Sequence, residues 1–169
     1  MAVEIEWKFL VLRCPRPPRA GGAAIVQGYL DADARPTVRV RLTTRDGVTR
    51  ANLNLKHRLD PANRDGAPQT ALEFEYPLPE HDARELLGIA RATVSKTRHL
   101  LPGGIELDVF DGALAGLVVA EIEVERAGER PEPPAGFVWR DVSSDVRFSN
   151  RALAEHGRPA GAESVVYLD

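Results

Sequence analysis

The chain has a single cysteine, Cys14, among its 169 residues, so intrachain disulfides and zinc sites built from cysteines are excluded. It also lacks the basic N-terminal segment and following apolar stretch that mark a secretory signal peptide. The longest run that looks apolar, residues 112–120, is far too short to span a bilayer. These absences predict a cytoplasmic protein without a membrane partner.

An excess of either charge is also missing. The chain has 22 Lys and Arg against 25 Asp and Glu, a formal net charge of -3, which argues against general binding to nucleic acid or to a membrane surface. The histidines are scattered without a pair at metal-binding spacing. No G-x-x-x-x-G-K-[ST] loop is present, so a Walker-type phosphate site is excluded.

What the sequence does contain is a series of segments in which apolar and polar residues alternate. This alternation is typical of strands with one apolar and one polar face. The segments are 3–9, 38–42, 52–56, 72–76, 94–100, 105–109 and 118–125. Apolar residues make up 43% of the chain, which together with its length predicts one folded domain over residues 1–169.

The remaining segments are predicted to be helices, turns and loops. Helical spacing predicts one helix over residues 79–92, and Ser149 can cap a short one that runs through Glu155 and stops at Gly157. The predicted turns are Asp46-Gly47, Asp65-Gly66 and Gly103-Gly104. Two proline-rich stretches, residues 14–18 and 131–134, are predicted to be loops.

The charged faces of these strands allow two interpretations. Antiparallel sheets often expose one face to water, and charges on such a face have no special role. In the second interpretation the charged faces point into a closed barrel. Carboxylates two apart on a strand lie about 7 Å apart and would repel by about 2 kcal/mol at an effective dielectric of 20. Such a lumen needs metal ions, basic residues or a ligand that carries both signs, and a metal-bound triphosphate is such a ligand.

The first strand resembles a family signature. Residues 4–8, Glu-Ile-Glu-Trp-Lys, are similar to the E-x-E-x-K motif of the CYTH, or triphosphate tunnel metalloenzyme, superfamily. The resemblance continues in order to about Leu153. The later segments that resemble the family's strands and closing element are Gln27-Gly28-Tyr29-Leu30, Val38-Arg39-Val40-Arg41, Leu53-Asn54-Leu55-Lys56, Leu72-Glu73-Phe74-Glu75, Ser95-Lys96-Thr97-Arg98, Glu106-Leu107-Asp108-Val109-Phe110, Ala120-Glu121-Ile122-Glu123, and Asp145, Arg147, Phe148 and Asn150.

The resemblance implies a mainly β fold, in which an eight-stranded closed antiparallel barrel, or tunnel, has flanking helices on its apolar outside. It implies Mg²⁺ or Mn²⁺ as the cofactor, with the main metal ligands at Glu4, Glu6, Glu121 and Glu123. Phosphate binding is expected at Lys8, Arg39, Arg41, Lys56, Lys96, Arg98 and Arg147. The expected catalytic group is Glu4, Glu6, Lys8 and Lys56.

Some assignments remain open at this stage. Five more acids are secondary candidates for metal binding: Glu73, Glu75, Glu106, Asp108 and Asp145. Of these, Glu73 and Glu75 can equally orient the arginines through salt bridges. Tyr29 can lie at the tunnel mouth or pack within the sheet. Phe148 lacks the hydroxyl of the more usual tyrosine, so only packing is expected of it.

The predicted function is metal-dependent hydrolysis of a triphosphate, with inorganic tripolyphosphate giving diphosphate and phosphate. The alternatives within the family are cyclisation of ATP, as in class IV adenylate cyclases, and thiamine triphosphate hydrolysis. An alternative of another class is a non-catalytic module that binds polyphosphate or nucleotide. The sequence leaves open a homodimer, the substrate and metal preferred, and the partner of the C-terminal extension, residues 157–169.

Overall fold

Strands make up most of the fold. The structure is a computed structural model that describes residues 2–18, 20–31, 36–59, 67–126 and 128–168. The strands are β1 Ala2–Pro15, β2 Ala23–Tyr29, β3 Thr37–Arg45, β4 Val48–Arg58, β5 Gln69–Leu78, β6 Ala92–Leu101, β7 Ile105–Phe110, β8 Val118–Glu123, β9 Val138–Asp141 and β10 Val166–Leu168. The helices are α1 Glu80–Gly88 and α2 Asn150–His156, with 3₁₀ turns at Gly112–Leu114 and Val146–Phe148.

The first eight strands close into an antiparallel barrel in the order β1-β5-β4-β3-β2-β6-β7-β8-β1. The length of β1 makes the closure geometrically feasible. Its residues from Ala2 to Glu6 pair with β5, and its residues from Glu6 to Leu10 pair with β8. The predicted eight-stranded closed barrel is therefore confirmed. A barrel of this size has an interior just wide enough for side chains or one small ligand.

The barrel turns its charged faces inward, so the alternative of a solvated charged face is wrong. On the outside, the aromatic side chains of Trp7 and Phe9 are buried with Trp139, whose ring lies 4.5 Å from that of Phe9. Helix α1 covers a second apolar region on β3 and β4 through Ala83. The expectation that helices cover the outside holds only for that region, because β9 and the neighbouring irregular chain cover Trp7 and Phe9.

One end of the barrel is filled by apolar side chains. Leu10 and Val119 are cross-strand partners that continue the inward faces of β1 and β8 beyond Lys8 and Glu121. Both are buried in a cluster with Phe148 and Leu153, which the second 3₁₀ turn and α2 supply. This cluster, the apolar plug, thus bounds the charged part of the interior on this side. The buried position of Phe148 agrees with the packing role expected of it.

The helices and turns agree with the sequence prediction in part. The hydroxyl of Ser149 accepts a hydrogen bond from the N–H of Ala152, and Gly157 ends α2 with a φ of 77°, as predicted. Asp46 and Gly47 both have positive φ at the tip of the β3–β4 hairpin, which is typical of a type I′ turn. Helix α1 is shorter than predicted, since it ends at Gly88. The predicted turn Asp65-Gly66 lies outside the described residues.

The C-terminal extension also finds its partner in β1. Strand β10 runs parallel to the last residues of β1, with Cys14 opposite Tyr167. The first strand consequently extends through Pro15 into the stretch that was predicted to be a loop. No helix among the described residues has the length and apolar character needed to cross a membrane.

Gly28 lies on the outer face of β2, beneath the end of α1. A Cβ atom at this position would lie 2.7 Å from Cβ of Ala90 and 2.9 Å from Cδ2 of Leu87. We expect Gly28→Ala to lower the free energy of unfolding by about 1–3 kcal/mol, because overpacked cores must shift their backbone. Urea denaturation monitored by circular dichroism measures this change.

The matched control is Gly88→Ala. A Cβ atom at Gly88 meets nothing within 4 Å, and alanine in place of glycine in a helix stabilises by about 0.5–1 kcal/mol. Equal stabilities of Gly28→Ala and the wild type would mean that α1 does not pack rigidly on β2.

Candidate functional site

A cavity of about 950 Å³ occupies the charged part of the barrel. Its wall contains most of the predicted site residues. The lining carboxylates are Glu4, Glu6, Glu73, Glu75, Glu106, Glu121 and Glu123. The predicted cations that line it are Lys8, Arg39, Arg41, Lys56 and Arg98. The barrel thus brings together residues that are far apart in the sequence, because the inward faces of all eight strands meet around one axis.

Four predicted site residues lie away from the cavity surface. Lys96 and Asp108 are fully buried and bonded to each other, and the ammonium of Lys96 also donates to Oδ1 of Asn150 at 3.0 Å. Asp145 and Arg147 form an ion pair of 2.6 Å in which the Arg147 side chain is largely exposed. These four residues form ion pairs in the structure, and their role in binding a ligand stays a prediction.

Strands β1 and β8 form the most acidic wall. Glu6 lies directly opposite Glu123, and Lys8 lies opposite Glu121. The ammonium of Lys8 is 2.9 Å from Oε1 of Glu121 and 3.4 Å from Oε1 of Glu6. Like charges that face each other across a strand pair are destabilising. Glu6 and Glu123 are thus facing carboxylates, and the charges of Lys8 and Lys56 partly neutralise Glu6.

A second group of charges lies where β1, β4 and β5 meet. The ammonium of Lys56 is 2.9 Å from Oε2 of Glu4 and 3.2 Å from Oε2 of Glu73. Burial, together with a hydrogen bond to Glu73, raises the pKa of Glu4 to about 8. Burial opposes ionisation of Glu73 too, but its hydrogen bond from Glu4 and the charges of Lys56 and Arg39 lower its pKa to about 2. The two carboxyl groups therefore share a hydrogen bond in which the proton is favoured on Glu4.

Arg98 is the centre of a third group. Its guanidinium donates to both oxygens of Asp108 at 2.7 Å, to Oε2 of Glu121 at 2.6 Å, and to Glu106. Burial would raise the pKa of Glu121, but Lys8, Lys96 and Arg98 lower it well below its usual range. Glu121 is consequently a carboxylate that stays ionised under all ordinary conditions.

Arg41 differs from the other cations of the site. Its Nε donates to the neutral side chain of Gln27 at 3.3 Å. Among the described residues, Arg41 and Arg58 are the only lysines or arginines of the cavity wall without a carboxylate partner within 4.0 Å. Burial and the nearby charges of Arg39 and Arg98 lower the pKa of Arg41. Such surroundings favour the approach of an anion to the guanidinium.

Two neutral residues of the site were missed from the sequence. The amide nitrogen of Asn54 donates to Oε1 of Glu73 at 3.1 Å and to Oε2 of Glu75 at 2.7 Å, so Asn54 holds two carboxylates in place. Gln27 holds Arg41 in a similar way. The alternation of β4 already placed Asn54 on the same face as Lys56. Site residues were selected from the sequence by their charge, however, and Asn54 is neutral.

The acidic wall has the ligand chemistry that Mg²⁺ and Mn²⁺ require, which is a set of carboxylate oxygens. The facing pair of Glu6 and Glu123, and the proton held between Glu4 and Glu73, are two signs of crowded negative charge that a divalent cation would relieve. Within the described ranges, no group of three or more His, Cys, Asp or Glu side chains is already arranged around a metal-sized gap. The residues fit a divalent cation if their carboxylates turn away from the lysines.

No protein-family model matches the chain. It is 31% identical over 161 residues to an inorganic triphosphatase of Acetivibrio thermocellus, covering 92% of this chain and 96% of the relative. It is 34% identical over 158 residues to an inorganic triphosphatase of Nitrosomonas europaea, covering 89% and 96%. The crystal structure of the inorganic triphosphatase NE1496 superposes with a TM-score of 0.59 and 30% identity, covering 91% of this chain and 95% of that one.

Proposed function

Because the chain belongs to the inorganic triphosphatase family, we propose that it hydrolyses inorganic tripolyphosphate to diphosphate and phosphate with Mg²⁺ or Mn²⁺ as cofactor. The observation that carries this proposal is Arg41, a cavity-lining arginine held by a neutral amide and flanked by Arg39 and Arg98. The mixture of acids and bases around it suits a polyanion that arrives with a divalent cation. The order of the motifs, starting with Glu4, Glu6 and Lys8, supports a further proposal that this family is part of the CYTH superfamily.

The acidic wall is the proposed place of the cation. Glu4, Glu6, Glu121 and Glu123 would hold it, and Glu73 is adjacent to them through its hydrogen bond with Glu4. When bound, a divalent cation neutralises phosphate oxygens and lowers the pKa of a bound water. In this proposal Glu4 gives up its proton on binding, because the cation replaces the proton in stabilising two adjacent carboxylates.

The basic residues bind and align the substrate. Arg41 binds phosphate oxygens with a guanidinium that has no ion pair with a described carboxylate. Lys8, Lys56 and Arg98 exchange part of their bonds to glutamates for bonds to phosphate. Held in this way, a terminal phosphorus is exposed to in-line attack by water, and the bond to the bridging oxygen breaks. The positive charges of these lysines and arginines stabilise the negative charge on the transferred phosphoryl group and on the departing diphosphate. No covalent link to the protein is needed.

Product analysis tests this function. The purified protein is incubated with tripolyphosphate, ATP or thiamine triphosphate, each with Mg²⁺, Mn²⁺ or EDTA, and the products are followed by phosphorus NMR. We expect equimolar diphosphate and phosphate from tripolyphosphate with a divalent cation and no turnover in EDTA. Cyclic AMP from ATP, faster cleavage of thiamine triphosphate, or binding without turnover would each contradict the proposal.

A further inference from the structure

Gln27 is a fully buried polar residue on the inward face of β2. Its exposed fraction is 0%, and it lies directly opposite Arg41 on β3. Buried amides need partners for both their oxygen and their nitrogen, and Gln27 has both. Its Oε1 accepts from Nε of Arg41 at 3.3 Å, and its Nε2 donates to the hydroxyl of Tyr29 at 3.0 Å. The carboxamide is therefore held in one orientation.

The contact between Gln27 and Arg41 is unusual within the site because the acceptor is neutral. Arg39 donates to Glu73 at 3.0 Å, Lys56 to Glu4 at 2.9 Å, and Arg98 to three different acids. Arg41 instead bonds an amide oxygen, which orients the guanidinium but adds no negative charge. A glutamate in the same place would be nearly identical in shape and would neutralise Arg41.

We propose that Gln27 is a positioning residue that aims Arg41 into the cavity while leaving its guanidinium without a direct carboxylate partner, and that it thereby contributes to the affinity of the site for polyphosphate. The inference rests on the proposed function, since it takes a triphosphate as the ligand of Arg41. Gln27 itself does not line the cavity, so it acts through Arg41 and not by touching the substrate. Because the guanidinium of Arg41 has only N–H donors, the carboxamide faces it with its oxygen, and its nitrogen is left to donate to the hydroxyl of Tyr29.

Two variants at this position separate charge from packing. Gln27→Glu keeps the size of the side chain and places a carboxylate beside Arg41, whereas Gln27→Met keeps the size and removes both hydrogen bonds. We expect KM for tripolyphosphate to rise about 10- to 100-fold in Gln27→Glu and about 3- to 10-fold in Gln27→Met. The fall in kcat should be smaller than the rise in KM, because Arg41 contributes to binding in both the ground state and the transition state.

Stability separates this role from a purely structural one. The melting temperature of Gln27→Glu should equal or exceed that of Gln27→Met, because the introduced carboxylate would form an ion pair with Arg41. The variant with the larger loss of affinity is thus the one with the larger stability. If Gln27→Met had both the lower melting temperature and the higher KM for tripolyphosphate, the proposal would be overturned.

A double-mutant cycle with Arg41→Met completes the test. If Gln27 acts through Arg41, then KM of the double variant Gln27→Glu with Arg41→Met should lie within about twofold of that of Arg41→Met alone. Additive effects of the two changes would overturn the inference. A wild-type protein that neither cleaves nor binds tripolyphosphate would overturn it together with the proposed function, whereas an active wild type with an unaffected Gln27→Glu would overturn the inference alone.

Discussion

Replacing Glu6 by glutamine is expected to lower turnover of tripolyphosphate at limiting Mg²⁺ by at least about 100-fold, since even residues that only support a metal ligand change metal affinity by about 10- to 100-fold. Glu6 is buried, lies opposite Glu123 and is 3.4 Å from the ammonium of Lys8. Glutamine keeps the shape and can still accept from Lys8, but it removes one of the two facing negative charges. We expect the fold to be retained and the loss to be partly recovered at high Mg²⁺.

The measurements are initial rates over a range of Mg²⁺ concentrations and the rise of melting temperature with added Mg²⁺ or Mn²⁺. The second readout reports cation binding without substrate, because a ligand of the native state stabilises it. The matched control is Glu125→Gln, which removes an exposed glutamate just beyond β8 and should change neither quantity. Wild-type turnover and a wild-type cation-induced shift in Glu6→Gln would show that Glu6 is not a metal ligand.

Arg41→Met is expected to weaken the binding of a triphosphate by about 10- to 100-fold, because a hydrogen bond to a charged group contributes about 1.5–3 kcal/mol. The same change is expected to lower the free energy of unfolding of the free protein only slightly, because the loss of a partner for the buried oxygen of Gln27 is offset by the removal of a buried charge. Burial and the charges of Arg39 and Arg98 outweigh those of Glu73 and Glu121 and lower the pKa of Arg41, which means that its charged form is disfavoured. The charged side chain of Arg41 therefore costs the free protein stability, and its charge is stabilised only when an anion is bound.

Calorimetric titration with an imido-bridged triphosphate, which is cleaved slowly, measures the loss of affinity, and urea denaturation measures the stability. The comparison variant is Arg39→Met, in which Glu73 loses its 3.0 Å ion-pair partner. Removing one partner of a partly buried ion pair is destabilising, so Arg39→Met should lower the free energy of unfolding by more than Arg41→Met does. Unchanged affinity in Arg41→Met, or a loss of stability as large as that of Arg39→Met, would show that Arg41 is structural.

Much of the barrel could be predicted because strand alternation is a local property of the sequence. The inward residues of β1, Glu4, Glu6 and Lys8, are assigned to one face by their spacing alone. The resemblance of the ordered segments then indicated that this face is the interior. The covering of the outer face was harder to predict. The sequence from residue 124 to 141 has no helical or strand periodicity, yet side chains from this stretch pack over Trp7 and Phe9. The docking of β10 on Arg13 to Pro15 likewise had no local signal.

Within the site, the residue types were predictable but their partners were not. Lys96 and Arg98 are two apart on one inward face, as the alternation predicts. Only the tertiary structure shows that Lys96 is sealed beneath Asp108 and Asn150, whereas Arg98 reaches the cavity. The distinction depends on how far each residue lies from the apolar plug, and that distance is set by the stagger of strands in a closed barrel.

The spacing of residues along the strands is enough to predict that charged side chains of both signs share one face, since a period of two puts every second residue on the same side. It did not determine which cation remains free for a ligand. Arg39 and Arg41 have the same type and face, but strand register places Arg39 opposite Asn54 and within reach of Glu73, and places Arg41 opposite Asn52 and Gln27. The register between strands that are distant in the chain is a property of the closed barrel. Two residues that are neighbours on the inward face of one strand therefore have different partners, here an acid for one and an amide for the other. The tertiary structure alone therefore decided that Arg41 is the cation held by a neutral partner.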